Sequence, residues 1–470
     1  MRTHHRPTRP RRLTSVERRP TDAPDRGVHH HRWHPGDPES VASRLAPVLD
    51  AFFPDGVPVP FTFWDGSTFW EGSTFWDGST FWEGRAAETG SVVVRSPDAL
   101  RRMLWAPGEL GLGRAYVTGE LDIRGDVIEV LALLAHAARI RPDLAAATAA
   151  IAAVRSVGGF GLPLAPPREE AHQRGRLHSK ERDAAAISHH YDVGNDFYRL
   201  VLGPSMTYSC ARFVDDDTTL EDAQTAKFEL VCRKLGLPER PGATLLDVGC
   251  GWGSLAMHAA RHHGARVVGV SISHEQVVHA RERVAAAGLS DLVDIREQDY
   301  RELAGERFDA ISSIGMFEHV GARHIPEYFE TLRGLLGDEG RLLNHAISSV
   351  GGSRIGPRSF VGRYVFPDGE LIDVGQVVLA MEAAGFEVRD VESLREHYDR
   401  TLRAWVANLE ADWERAVELV GPARARVWRL YMAGSANGFH DGGIAVHQVL
   451  GVVPDPDGTS GMPLTRAGFV

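Results

Sequence analysis

Apolar positions along this chain follow two rhythms. From Thr244 onward, short runs of strand length alternate with stretches of helical period, the pattern of an α/β fold built on a parallel sheet. The runs predict strands at Thr244–Val248, Arg266–Ser271, Leu292–Arg296, Phe308–Ile314 and Arg341–Ile347. A helix over Thr219–Leu235 precedes them. Phe228, Val231 and Leu235 share its apolar face, Thr218 and Glu221 read as a capping box, and Gly236 stops it. Earlier in the chain the rhythm is mixed. It predicts a helix near Val41–Ala51, a strand at Ser91–Arg95 and a helix opened by Ser96-Pro97-Asp98, where Ser96 caps and Pro97 suits the first turn. A glycine-rich run, Gly108–Gly125, then leads into an apolar helix.

These rhythms divide the chain. Residues 1–36 form a tail rich in Arg, His and Pro, with too little apolar surface to order itself. Its basic residues suit anionic lipid headgroups. His29, His30, His31 and His34 have no fixed geometry there, and no metal is assigned. Residues 37–165 read as a smaller, mixed α+β N-terminal domain, 166–186 as a proline-paired, charged linker, and 187–470 as the α/β domain. Within the first domain, residues 62–85 repeat TFWDGS, TFWEGS, TFWDGS and TFWEGR. An even period keeps every Phe on one face of a strand and every Trp on the other, while Asp-Gly and Glu-Gly favour turns. One copy reads as a native strand and the rest as a tandem duplication, whose aromatic residues would suit a lipid interface.

Composition narrows the setting. A length of 470 residues suggests two domains plus tails, and 43% hydrophobic with 24% charged residues is globular. A net charge of −11 argues against a nucleic-acid partner. Cys210, Cys232 and Cys250 show no metal-type spacing and are too few for a disulfide framework, which points to a reducing cytoplasm. No stretch approaches the ~18–20 apolar residues of a membrane span. Val127–Ala138 and Leu144–Val154 are short enough to be buried or interfacial helices, and the charged start lacks a signal-peptide core.

The candidate chemistry begins where the first strand ends in LLDVGCGWG (Leu245–Gly253). Glycines let the backbone turn tightly and approach a ligand where a Cβ would clash. The spacing Gly249-x-Gly251-x-Gly253 lacks the wider dinucleotide pattern. Asp247 stands before the turn, where a carboxylate can hold the ammonium of S-adenosyl-L-methionine (SAM), and Gln298, Asp299 and Tyr300 follow the third strand, where adenine contacts are expected. The second strand ends in VVGVSISHEQ without an acid for the ribose, so Ser271 and Gln276 must supply those hydrogen bonds.

Around this turn the sequence resembles the cyclopropane-fatty-acid synthase and mycolic-acid cyclopropane synthase family. The matching segments are HHYDVGNDFYRLVLGPSMTYSCARF (His189–Phe213), LLDVGCGWG, VSISHEQ, QDYREL, SIGMFEHVG (Ser313–Gly321), NHAIS (Asn344–Ser348), YVFPDGEL, HYDRTLRAW and YMAGSANGF (Tyr431–Phe439). They span Ile187–Gly451 in family order. LWAPGELGLGRAYVTGELD (Leu104–Asp122) resembles the extra N-terminal domain of the phospholipid-acting branch, and the aromatic repeat is no part of the resemblance.

The resemblance implies a Rossmann-like SAM-dependent methyltransferase that adds the SAM methyl to the cis double bond of an unsaturated phospholipid acyl chain and closes a cyclopropane. It implies a peripheral enzyme on the inner face of the membrane and, from relatives with the extra domain, a homodimer. It further implies a bound bicarbonate as base, held at Cys210, Ile314, Glu318, His345 and Tyr431, with Cys210 acting through its backbone N–H. Tyr208 matches a cofactor contact, and the polar cluster His190, Tyr191 and Asp192 reads as a lid over the cofactor. By position, Glu318 follows the fourth strand at the carboxyl edge of the sheet and His345 comes after the fifth. A methyl or methylene branch is the alternative product, since the fate of the cation depends on where the base sits.

Overall fold

The structure is a computed structural model that describes residues 37–70, 89–139, 144–171, 193–356, 358–367 and 369–469. The basic tail, the repeat from Glu71 onward, most of the linker and His190, Tyr191 and Asp192 lie outside the described residues.

In the N-terminal region the first repeat copy and the start of the second make a hairpin. Strand β1 (Phe61–Thr62) pairs antiparallel with β2 (Thr68–Phe69), setting Phe61 opposite Phe69. Between them Gly66 takes a φ of +85°, and Asp65 Oδ1 accepts from the N–H of Ser67 at 2.9 Å. Strand β3 (Gly90–Val94) runs parallel to β1 and antiparallel to β4 (Leu121–Gly125). Helices Val41–Phe52 and Pro97–Trp105 form where expected, and the Ser96 hydroxyl accepts from Asp98 N–H at 3.2 Å. The apolar run after Gly125 becomes the helix Val127–Ala137, capped by Asp126. Among the described residues, no helix is long and apolar enough to cross a membrane.

The second region carries β5 (Thr244–Val248), β6 (Arg266–Ser271), β7 (Val293–Glu297), β8 (Phe308–Ile314), β9 (Leu336–Ser349), β10 (Ile372–Asp373), β11 (Glu387–Ser393) and β12 (Ile444–Val452). The main order is β11-β12-β9-β8-β5-β6-β7, with β10 paired to β9. The five expected strands are all present and mutually parallel. Two further strands add antiparallel pairing to this parallel core. β12 runs antiparallel to both β9 and β11, so the sheet is mixed. Both strands escape the sequence pattern for physical reasons. β11 alternates polar residues along an edge, and β12 follows a glycine-rich turn straight after a helix.

Two local expectations shift. The helix Leu220–Leu235 is capped by Thr219, whose hydroxyl accepts from Asp222 N–H at 3.2 Å; Thr218 instead donates to Asp215. His345, expected after the fifth strand, lies within β9, paired with Ile314 on one side and Gln448 on the other, and the strand runs on to Ser349.

The two regions share one apolar core. Leu45, Tyr116 and Val130 join Phe197, Trp405, Trp428 and Met432 in a single cluster around the helix Pro422–His440. Polar ties cross the same seam: Arg403 to Glu129 at 3.0 Å, Asn437 Nδ2 to Ile128 O at 3.0 Å, and Arg429 Nη1 to the Tyr116 hydroxyl at 2.9 Å. Gly113 lets its helix approach closely, because a Cβ there would lie 2.3 Å from the Phe360 ring.

Candidate functional site: two cavities that meet

The carboxyl ends of β5, β6 and β8 open onto a cavity of about 200 Å³. Asp247, Gly249, Gly251, Ser271, Gln276, Gln298, Asp299, Tyr300, Ile314 and Tyr208 all line it. Gly249, Gly251 and Gly253 take φ values of +75°, +54° and +77°, and a Cβ on Gly249 would press to 3.2 Å from the Met316 side chain. Gly253 lies outside the lining and starts the helix Ser254–His263 instead. Ser271 Oγ meets Gln276 Oε1 at 3.0 Å, joining the two expected ribose contacts in one buried pair. Asp299 is held by the N–H groups of Arg301.

Two buried groups of opposite charge face this cavity. Burial raises the Asp247 carboxyl to about 6, although Ser312 Oγ donates to it at 2.8 Å. Lys227 is 1% exposed, and burial lowers its ammonium to about 7; Nζ donates to Ser209 Oγ at 3.0 Å and lies 4.4 Å from the Phe228 ring. The sequence reading did not select Lys227. Its signal was a lysine standing among Phe228, Val231 and Leu235 on the apolar stripe of its helix.

A second cavity of about 300 Å³ adjoins the first, and Tyr208, Gly315 and His319 line both. Its walls are mainly apolar, from Ile347, Ile355, Val361, Phe366, Leu371, Leu402, Phe439 and Ile444, with Glu318 and Tyr431 among them. Tyr208 donates its hydroxyl to that of Tyr431 at 3.1 Å. Around Tyr208 stand Trp405, Trp428 and Tyr198, with ring centroids 5.3, 5.7 and 5.8 Å away. Trp405 and Trp428 had no distinguishing pattern in the sequence, because single aromatic residues on buried helix faces look like packing.

The five residues expected around an oxyanion divide. Glu318, on the short turn after β8, accepts from Ile347 N–H at 2.7 Å through Oε1, while its buried Oε2 has no partner. Burial raises this carboxyl to about 7. Strand alternation turns His345 toward the same face as Ile347. Its Nδ1 lies 3.2 Å from Gln448 Nε2, its Nε2 is buried without a partner, and burial keeps the ring neutral by lowering its pKa well below the usual range. Burial raises the Tyr431 phenol to about 12. Ile314 lines the first cavity. Cys210 and His345 line neither; the Cys210 thiol points to the carbonyl oxygens of Ala211 and Leu394, at 3.2 and 3.5 Å, and burial pushes its pKa up.

Comparison with known proteins places this geometry. The sequence model of the family described as mycolic acid cyclopropane synthetase matches residues 178–449. The chain is 43% identical over 433 residues to the probable fatty acid methyltransferase Rv3720 of Mycobacterium tuberculosis, covering 89% of this chain and 97% of that one. It is 35% identical over 359 residues to the cyclopropane-fatty-acyl-phospholipid synthase of Escherichia coli, covering 76% and 86%. Among solved structures, the mycolic acid cyclopropane synthase CmaA1 complexed with SAH and CTAB superposes with a TM-score of 0.54 at 35% identity, over 57% of this chain and 97% of that one. The cyclopropane synthase MmaA2 from Mycobacterium tuberculosis gives 0.55 at 32% identity, over 59% and 100%. With its glycine turn, its mixed α/β sheet and relatives spanned almost end to end, the chain belongs to the mycolic acid cyclopropane synthetase family and is a SAM-dependent lipid methyltransferase.

Proposed function

We propose that the enzyme transfers the SAM methyl to the cis double bond of an unsaturated phospholipid acyl chain and closes a cyclopropane ring. The observation that carries this reading is the common wall of Tyr208, Gly315 and His319 between a polar cavity and an apolar one. A donor in the first and an acyl chain in the second would meet there.

On this reading, Asp247 receives the ammonium of SAM and Lys227 its carboxylate, so each buried charge gains an opposite partner. Ser271 and Gln276 take the ribose, and Gln298, Asp299 and Tyr300 the adenine. An isolated alkene is a weak nucleophile, and the aromatic enclosure around Tyr208 keeps water from the reacting carbons. Methyl addition leaves a cation on the acyl chain, which the π face of neutral Tyr208, on the wall common to both cavities, stabilises. Closing the ring then requires a proton to leave the new methyl.

A bound bicarbonate, as the family resemblance implies, would supply the base. Glu318 Oε2, buried without a partner in the apolar cavity that Tyr431 also lines, suits a small oxyanion; His345, which lines neither cavity, keeps a buried unpartnered Nε2 on the strand face of Ile347. Glu318 exchanges its own proton near neutrality and so avoids setting two bare negative charges together. Cys210 contributes through its backbone, because its thiol is protonated and turned away. The enzyme would work at the bilayer surface without spanning it.

Glu318→Gln tests this reading. The variant should bind SAM as the wild type does and lose turnover by about 100-fold or more. Undiminished turnover would remove Glu318 from the chemistry.

A further inference from the structure

Away from both cavities, the helices Leu220–Leu235 and Ser254–His263 lie side by side and turn a set of ligating side chains toward each other. Cys232, His258 and His263 each offer one ligand atom, and these three atoms lie within 4.8 Å of one another. Cys232 is buried, and the His258 and His263 side chains are only 9% and 10% exposed. Glu229, one helical turn before Cys232, adds an oxygen. Its Oε2 lies 3.4 Å from His258 Nε2 and 3.0 Å from His263 Nε2. Arg233 holds the other oxygen, Oε1, at 2.8 Å, and so fixes the carboxylate plane.

We propose that Cys232, His258, His263 and Glu229 form a structural zinc site. A tetrahedral zinc with nitrogen and oxygen ligands at about 2.0–2.1 Å has ligand-to-ligand edges of ~3.3 Å. The two oxygen–nitrogen separations already have about that length; the Cys232 sulfur, up to 4.8 Å from the histidine ligand atoms, must close in on them by about 1.3 Å at most, and Glu229, which lies outside that 4.8 Å set, must swing toward the sulfur as the metal binds. Thiolate and imidazole select a borderline-soft ion over magnesium or calcium. Four protein ligands leave no open position for chemistry, so the metal acts as a tie. It would tie two walls of the donor cavity, since one helix carries Lys227 and the other places Ser254 and Leu255 at the glycine turn. A site drawn from two helices with one thiol leaves no cysteine spacing to read in the sequence.

Cobalt reports on such a site directly. The full chain is stripped with EDTA, given one equivalent of Co²⁺ and desalted. It should retain stoichiometric cobalt and show a sulfur-to-cobalt charge-transfer band. The tail histidines His29, His30, His31 and His34 compete for metal, so a variant with all four changed to Ala is run alongside and should keep both signals. Cys232→Ser should lose the band, and His263→Gln should reduce retained cobalt by more than about 10-fold, with an unchanged far-UV circular dichroism spectrum as the check on folding. The site is refuted if the tail variant loses the metal, or if Cys232→Ser keeps the band. If Cys232→Ser does not fold, His263→Gln decides: full retention of cobalt refutes the site.

Discussion

A carboxyl group lifted to about 7 by burial changes charge near neutrality, and Glu318 is such a group. Its folded pKa lies above the unfolded value, so its favourable neutral form stabilises the fold at acid pH. That contribution is lost as pH rises through about 7. In the unliganded protein, stability should therefore fall between about pH 4.5 and 7 by up to roughly 3 kcal/mol, and Glu318→Gln should flatten this slope in urea titrations. Lys227 makes a second residue-scale case. Lys227→Met should raise the KM for SAM by roughly 30-fold or more, as expected when one partner of a buried charge pair is removed. Decarboxylated SAM should suffer the same penalty with the wild type and no further penalty with the variant, because the missing carboxylate and the missing ammonium are one interaction. Independent losses would show that Lys227 only supports the fold. At this scale the glycine turn, Asp247 and Glu318 were legible because motif and position marked them. Lys227, Trp405 and Trp428 were hidden among buried helix faces, where a single residue gives no periodic signal.

Elements were the most legible level wherever one face is apolar. All five parallel strands and the helix Leu220–Leu235 follow from that rule, and β11 and β12 were missed where it fails. Helix ends depend on single hydrogen bonds and are read less well. The Thr219 cap implies that Thr219→Ala should lower stability by about 1 kcal/mol in urea denaturation. Glu221→Gln should leave the cap intact, since Asp222 rather than Glu221 stands at the partnered position. An equal loss from both would restore the capping box anchored at Thr218.

At the scale of the whole molecule, the change of composition near residue 165 separates elements but not cores. The sequence marks a linker there, yet a contact between distant segments has no local signature. Tyr116, Val130 and Leu45 share their core with Trp428 and Met432. Deleting residues 1–165 should therefore expose the apolar face of the helix Pro422–His440 and give aggregated protein on size-exclusion chromatography. A monodisperse, SAM-binding fragment would show the N-terminal region to be dispensable for folding. The meeting of the two cavities is also a property of the whole fold, since Tyr208, Gly315 and Tyr431 come from far-separated segments. Its most direct test is the product. The enzyme is incubated with SAM and vesicles of a cis-monounsaturated phospholipid, and the acyl methyl esters are analysed by gas chromatography with mass detection. One added CH₂ with loss of the alkene and a cyclopropane fragmentation pattern is expected. An untouched acyl chain, or a methyl or methylene branch in place of the ring, would contradict it.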